Sequence, residues 1–197
     1  MILPIVGYGD PILRMEAKEI DADYTGLKEL IANMFETMNS AHGVGLAAPQ
    51  IGLPIRLFIV DTTPFSEGAE EEEDAEERRM LMDLKEFRRV FINPIIIEED
   101  GEKWAFNEGC LSIPGIREDV FRKESLIIEY FDENFELREE ELDGIKARVI
   151  QHEYDHIEGV LFTDLLNPLR KQLLKKRLNE IVYGRVNADY KMKFAKR

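Results

Sequence analysis

The chain has 197 residues, 44% of them hydrophobic and 34% charged, with a net charge of −14 and one cysteine. That length suits a single globular domain over 1–197, and no apolar run approaches the roughly 18 residues of a membrane span. The lone cysteine excludes an internal disulfide and fits a reducing compartment, while the acidic balance argues against generic or sequence-specific nucleic-acid binding.

Residues 1–10 carry no basic region ahead of an apolar stretch, so a cytoplasmic protein without a secretory signal is expected. Thr25 reads as an N-cap, followed by Leu27, Leu30, Ile31, Met34, Met38 and Ala41 at helical spacing. The pattern ends at Gly43 and Gly45, where a loop is expected. Residues 55–60, 90–97 and 126–131 are short, rich in β-branched and aromatic side chains, and read as strands. Hairpin turns are expected at 99–102 and 132–134.

Between the first two strands, 66–89 reads as a solvated acidic insertion loop, with eight carboxylates and no base over 67–77 and a possible helix over 76–89. Ile145, Val149, Ile150, Tyr154 and Ile157 mark a second helix, capped by Asp143 and stopped at Gly159. Asn167 and Pro168 open a third, with Leu169, Leu173, Leu178 and Ile181 on one face and an end near Gly184. The segment 168–197 is a basic C-terminal helix and tail, with ten Lys/Arg against Glu180 and Asp189; its +8 leaves −22 for the rest. Strands joined by turns around a few helices, without regular βαβ alternation, predict an α+β fold with a mainly antiparallel sheet packed around a central helix and flanked by N- and C-terminal helices.

That central helix contains His152-Glu153-Tyr154-Asp155-His156. Histidines at i and i+4 share a helical face and can reach one metal ion with Glu153 beside it. Two of the chain's three histidines fall here, and the flanking Val149, Ile150 and Ile157 argue against a solvated surface pair. Asp155 can serve either as acceptor for a ligand imidazole or as an ion-pair partner. A catalytic metal site needs a third protein ligand and an open position. Asn179-Glu180 starts an N-E-x-x-x-D pattern but Gly184 stands where its Asp belongs, and no histidine follows His156. Cys110, beside Gly109 in a polar loop before Pro114, is the remaining candidate; its alternative is an inert buried thiol. Residues 43–50 (GVGLAAPQ) could form a peptide-binding edge with Gln50 as oxyanion donor, or simply a helix end and loop.

G-V-G-L-A-A-P-Q, E-G-C-L-S and Q-H-E-Y-D-H, in this order, resemble the three signature motifs of the peptide deformylases, and the resemblance runs from about Ile2 through the helix after Asn167. It implies a hydrolase that removes the N-formyl group from the initiator methionine of newly made polypeptides and releases formate. It also implies one divalent metal ion per chain, natively Fe(II), with Zn, Ni or Co as replacements. By motif, Cys110, His152 and His156 hold the metal, and its water attacks the formyl carbon with Glu153 as general base and then acid. Gln50 and the Leu111 backbone N–H meet the oxyanion. Val44, Gly45 and Leu46 pair with the peptide, and Gly109 and Arg117 belong to the substrate contacts. Val44 and Val149 are candidates for the methionine pocket, and Glu108 and Arg122 for a supporting ion pair. The resemblance implies ribosome docking through the basic C-terminal helix; membrane binding is not expected. The chain departs from the family pattern in its longer, more acidic 66–89 and in Arg148, where many members carry an apolar residue.

Overall fold

The apolar runs of the chain pair into one five-stranded sheet that wraps the motif helix. The computed structural model describes residues 1–196; Arg197, part of the expected basic tail, lies outside the described residues. The strands are β1 (Ile5–Val6), β2 (Gly45–Ala47), β3 (Leu57–Asp61), β4 (Arg88–Cys110), β5 (Ile113–Phe131), β6 (Leu137–Asp143) and β7 (Met192–Lys193), and the helices are α1 (Leu27–Ser40), α2 (Ala75–Lys85), α3 (Gly144–Ile157) and α4 (Pro168–Val182). The antiparallel sheet has the order β2-β3-β4-β5-β6, and β1 and β7 form a separate parallel pair that ties the two ends of the chain together. This is the expected α+β architecture.

Helix α3 packs on β2, β3, β5 and β6. It buries Ala147, Val149, Ile150 and Ile157 together with Arg148, Gln151, His152, Glu153 and His156. Polar side chains are excluded from such a place unless partners satisfy them, so each of these groups calls for an account of its partners. On one side of the sheet Ile31, Met34 and Met38 of α1 meet Leu46, Leu57 and Ile59. On the other, Phe58, Phe91 and Tyr130 meet Val149 and Ile150, with the Phe58 and Phe91 rings stacked at 4.7 Å.

The structure corrects several boundaries. Gly26, not Thr25, caps α1, in a left-handed conformation at φ 78. No hairpin turn forms at 99–102; β4 runs through it, with a register shift between Asp100 and Lys103 and Gly101 at φ 84. The long β4–β5 ribbon was hidden because its distal part pairs charged residues, such as Lys103 with Lys123, that lack the alternating apolar signature of a strand. The turn at 132–134 does form; Asp132 Oδ1 accepts from the Asn134 and Glu136 N–H groups. In the acidic segment α2 ends at Lys85, and Arg88 and Arg89 already pair in the sheet with Asp61 and Val60. Helix α4 is rotated relative to expectation: Leu174, Leu178 and Ile181 are buried, whereas Leu169 and Leu173 are 66% and 60% exposed.

Among the described residues no helix is long and apolar enough to cross a membrane.

Candidate active site

β4 and β5 are joined by a two-residue turn, Leu111-Ser112, with Cys110 paired to Ile113 across it. Cys110 therefore ends a strand rather than sitting in a loose polar loop, and the turn aims its thiol at α3. The Cys110 Sγ lies 3.2 Å from His156 Nε2, and the ligand atoms of Cys110, His152 and His156 are all within 4.8 Å of one another. A thiolate and two imidazoles at this spacing suit a transition-metal ion with one position left open.

The imidazoles are oriented from behind. Glu108 Oε2 receives His152 Nδ1 at 2.9 Å, so the other ring nitrogen of His152 faces the cluster. Glu108 also accepts from Arg122 Nε at 2.8 Å and from Arg148 Nη1 at 3.0 Å. Burial alone would push this carboxyl up, but His152 and Arg122 outweigh it and hold it below the usual carboxylate range. Asp155 pairs with Arg122 at 2.7 Å, which makes it an ion-pair partner and leaves the imidazole to Glu108. At His152, contacts with Cys110 and Glu108 override burial and raise the imidazole; at His156, burial and the neighbouring His152 lower it. A neutral His156 keeps a lone pair for a metal, and its buried Nδ1 has no hydrogen-bond partner among the described residues.

Glu153 lies beside the cluster, and its buried Oε2 likewise has no partner among the described residues. Burial raises its carboxyl to about 7, the range in which a group can both take and give a proton near neutrality. Its other oxygen sits against β2, where a Cβ on Gly45 would lie 2.4 Å from Glu153 Oε1. Only glycine permits that approach. Gln50 follows in the helical turn Ala48–Ile51 and is 1% exposed. The Ala47 N–H donates to its Oε1 at 2.8 Å, which turns its Nε2 toward Cys110 Sγ at 3.5 Å and Ser112 Oγ at 3.3 Å.

Gln50, Cys110, His152 and Glu153 open onto a cleft of about 590 Å³, whereas His156, 1% exposed, is not part of its lining. The structure brings Val44, Gly45, Gln50, Gly109, Cys110, Leu111, Arg117, Val149, His152 and Glu153 to its lining. Leu46 is not among them, since its fully buried side chain packs in the core with Leu57 and Ile59. Among the described residues strand β2 pairs only with β3 and is an edge of the sheet, so one side of its backbone is open to an added strand. The Arg117 guanidinium lies over Gly109 and is held by Asn107 at the cleft rim. Arg148 is 1% exposed and clamped by Glu108, the Val120 and Trp104 carbonyls and the Trp104 ring. Its charge is thus spent inside the fold.

Sequence reading missed Phe65 and Phe106, which line the cleft, and Ser112, although the last lay within E-G-C-L-S. It also missed 187–190, which reach the cleft from the C-terminal tail; nothing in their spacing signals it.

Comparison with known proteins gives a consistent result. The polypeptide deformylase family model matches residues 2–172. A peptide deformylase of Christiangramia forsetii is 60% identical over 194 residues, covering 98% of this chain and 96% of its own. That of Flavobacterium johnsoniae is also 60% identical, covering 99% and 97%. The crystal structure of a peptide deformylase from Legionella pneumophila superposes with a TM-score of 0.74 at 34% identity, covering 91% of this chain and 95% of that one. One from Thermotoga maritima gives 0.71 at 37% identity, covering 85% and 99%.

Proposed function

The chain belongs to the polypeptide deformylase family, a family of hydrolases, and from that premise we propose that it hydrolyses the formyl amide of N-formyl-methionyl nascent peptides to formate and a free amine. The observation that carries this reading is the convergence of Cys110, His152 and His156 beside the buried Glu153 at the foot of an edge-stranded cleft. Cys110, His152 and His156 would hold one divalent cation. The thiolate and two imidazoles accommodate Fe(II), the resident ion in this reading, as well as Zn, Ni or Co. Such a cation supplies Lewis-acid chemistry, acidifying water and polarising a carbonyl.

The protein's own groups do the rest. Glu153 takes a proton from the attacking water and returns it to the leaving nitrogen, as its raised carboxyl allows. The Gln50 amide, with its oxygen engaged by Ala47, and the Leu111 N–H donate to the formyl oxygen as negative charge develops there. The open edge at Val44, Gly45 and Leu46 receives the peptide backbone, with Gly109 and Arg117 on the facing ribbon. Val44 and Val149, flanked by Phe65 and Phe106, form the apolar pocket for methionine.

A substrate on nascent chains places the enzyme in the cytoplasm, and the exposed Lys171, Lys175, Lys176 and Arg177 of α4 suit docking to ribosomal RNA. Binding that weakens steeply with salt and with Lys175→Glu/Lys176→Glu would support that docking.

Formate release from a formyl-Met tripeptide, by anaerobically purified protein containing one equivalent of metal, tests the activity. Release that needs both the formyl group and Glu153 is expected; no release from metal-loaded protein overturns the reading.

A further inference from the structure

The C-terminal tail beyond residue 172 lies outside the segment matched by the family model, yet it reaches the active site. After α4 the chain turns at Gly184, passes along the cleft at 187–190, and enters β7, which pairs in parallel with β1. Two backbone bonds fasten it there, Ile5 N–H to Lys191 O and Gly7 N–H to Lys193 O, each 2.8 Å. Between cleft and strand stands Tyr190. Its ring packs with Leu111 against the α1 core, and its hydroxyl donates to the Leu111 carbonyl at 2.8 Å.

The turn Cys110-Leu111-Ser112 is consequently held at three consecutive points. Gln50 Nε2 contacts Cys110 Sγ and Ser112 Oγ, Tyr190 bonds the Leu111 carbonyl, and the Tyr8 N–H, just after β1, bonds the Ser112 carbonyl at 2.8 Å. Two of the three come from the joined chain termini. Burial raises the Tyr190 phenol above its usual range, so it stays protonated and a donor.

We propose that Tyr190 is a positioning residue of this active site: by hydrogen-bonding the Leu111 carbonyl it fixes the turn that presents the Cys110 thiol and the Leu111 N–H. The proposal rests on the deformylase reading above. A donor aimed at developing charge acts through its placement, and loosening its backbone lowers turnover more than ground-state binding.

The test compares wild type, Tyr190→Phe and Lys191→Ala, each loaded with the same metal, in formate-release kinetics and amide hydrogen exchange. Phenylalanine keeps the packed ring and removes only the donor. Expected for Tyr190→Phe, compared at equal metal content, is a loss of about tenfold in kcat with KM changed by less than about twofold, and faster exchange at Leu111 and Ser112. Lys191→Ala, which alters only an exposed side chain on the same strap, should behave as wild type. A kcat within about twofold of wild type, or a rise in KM with kcat intact, overturns the proposal and leaves the strap as a mere wall of the cleft. An equal loss in Lys191→Ala overturns it as well. If active wild type accompanies an indifferent Tyr190→Phe, only this proposal falls; if metal-loaded wild type releases no formate, the deformylase reading falls and takes this one with it.

Discussion

Gly45→Ala adds one methyl group at the point where β2 touches Glu153, the carboxyl proposed to transfer the proton. The new Cβ would stand 2.4 Å from Glu153 Oε1 and 2.7 Å from its Cδ and Cγ. Reaching an ordinary contact of 3.4 Å requires a shift of 1.0 Å. The strand cannot supply it cheaply, because Gly45, Leu46 and Ala47 are paired to Val60, Ile59 and Phe58 and completely or nearly buried. The carboxyl must move instead, and a displacement of about 1 Å in a reacting group costs on the order of a hundredfold in rate. That corresponds to about 2.7 kcal/mol of transition-state stabilisation, with an overpacking penalty of about 1–3 kcal/mol on the fold. Formate-release kinetics and thermal unfolding read the two effects separately. The double variant Gly45→Ala/Glu153→Ala separates them further: with the Glu153 side chain gone the clash disappears, so its unfolding temperature should lie above that of Gly45→Ala while activity stays absent. A Gly45→Ala enzyme with wild-type kcat, or a double variant no more stable than the single one, would refute the claim that glycine is needed here to seat Glu153.

Other expectations follow from the same structure. Glu108→Gln removes the charge that Arg122, Arg148 and His152 share; it should weaken metal retention about 10–100-fold in competition with a chelator and lower the unfolding midpoint. Removing the cation with a chelator should abolish formate release and lower the unfolding temperature, both recovering when Fe(II) or Co(II) is restored anaerobically. Asp164 is held below its usual value because the Arg14 guanidinium and the Leu161 N–H outweigh the opposing effect of burial. Its stabilising contribution is therefore present above the unfolded carboxyl value of about 3.9 and is lost as pH falls through the lower folded value, so urea midpoints of Asp164→Asn should show a shallower acid decline than wild type.

The candidate site was legible in the sequence because its motifs are local. His152, Glu153 and His156 share a helix, and i and i+4 spacing alone makes the two imidazoles neighbours. Gln50 and the two glycines before it sit within one short segment, and Cys110 stands out as the only thiol. Even so, elimination left Cys110 a candidate, and its 3.2 Å approach to His156 depends on a tight turn between two strands that the sequence did not reveal. Long-range pairing between charged segments carries no periodic signal, which is why most of β4 and β5 was invisible.

The sequence by itself determined the α+β class, the motif helix with its stop at Gly159, and the set of candidate site groups, since each follows from spacing or residue type within one turn of chain. Tertiary structure alone decided which face of α4 is buried, that Arg148 is paired with Glu108 in the wall of the cleft, and that the C-terminal strap reaches Leu111 through Tyr190. Those outcomes depend on contacts between residues 40 to 79 positions apart, where competing packings differ in energy and the sequence pattern of either segment is the same in all of them.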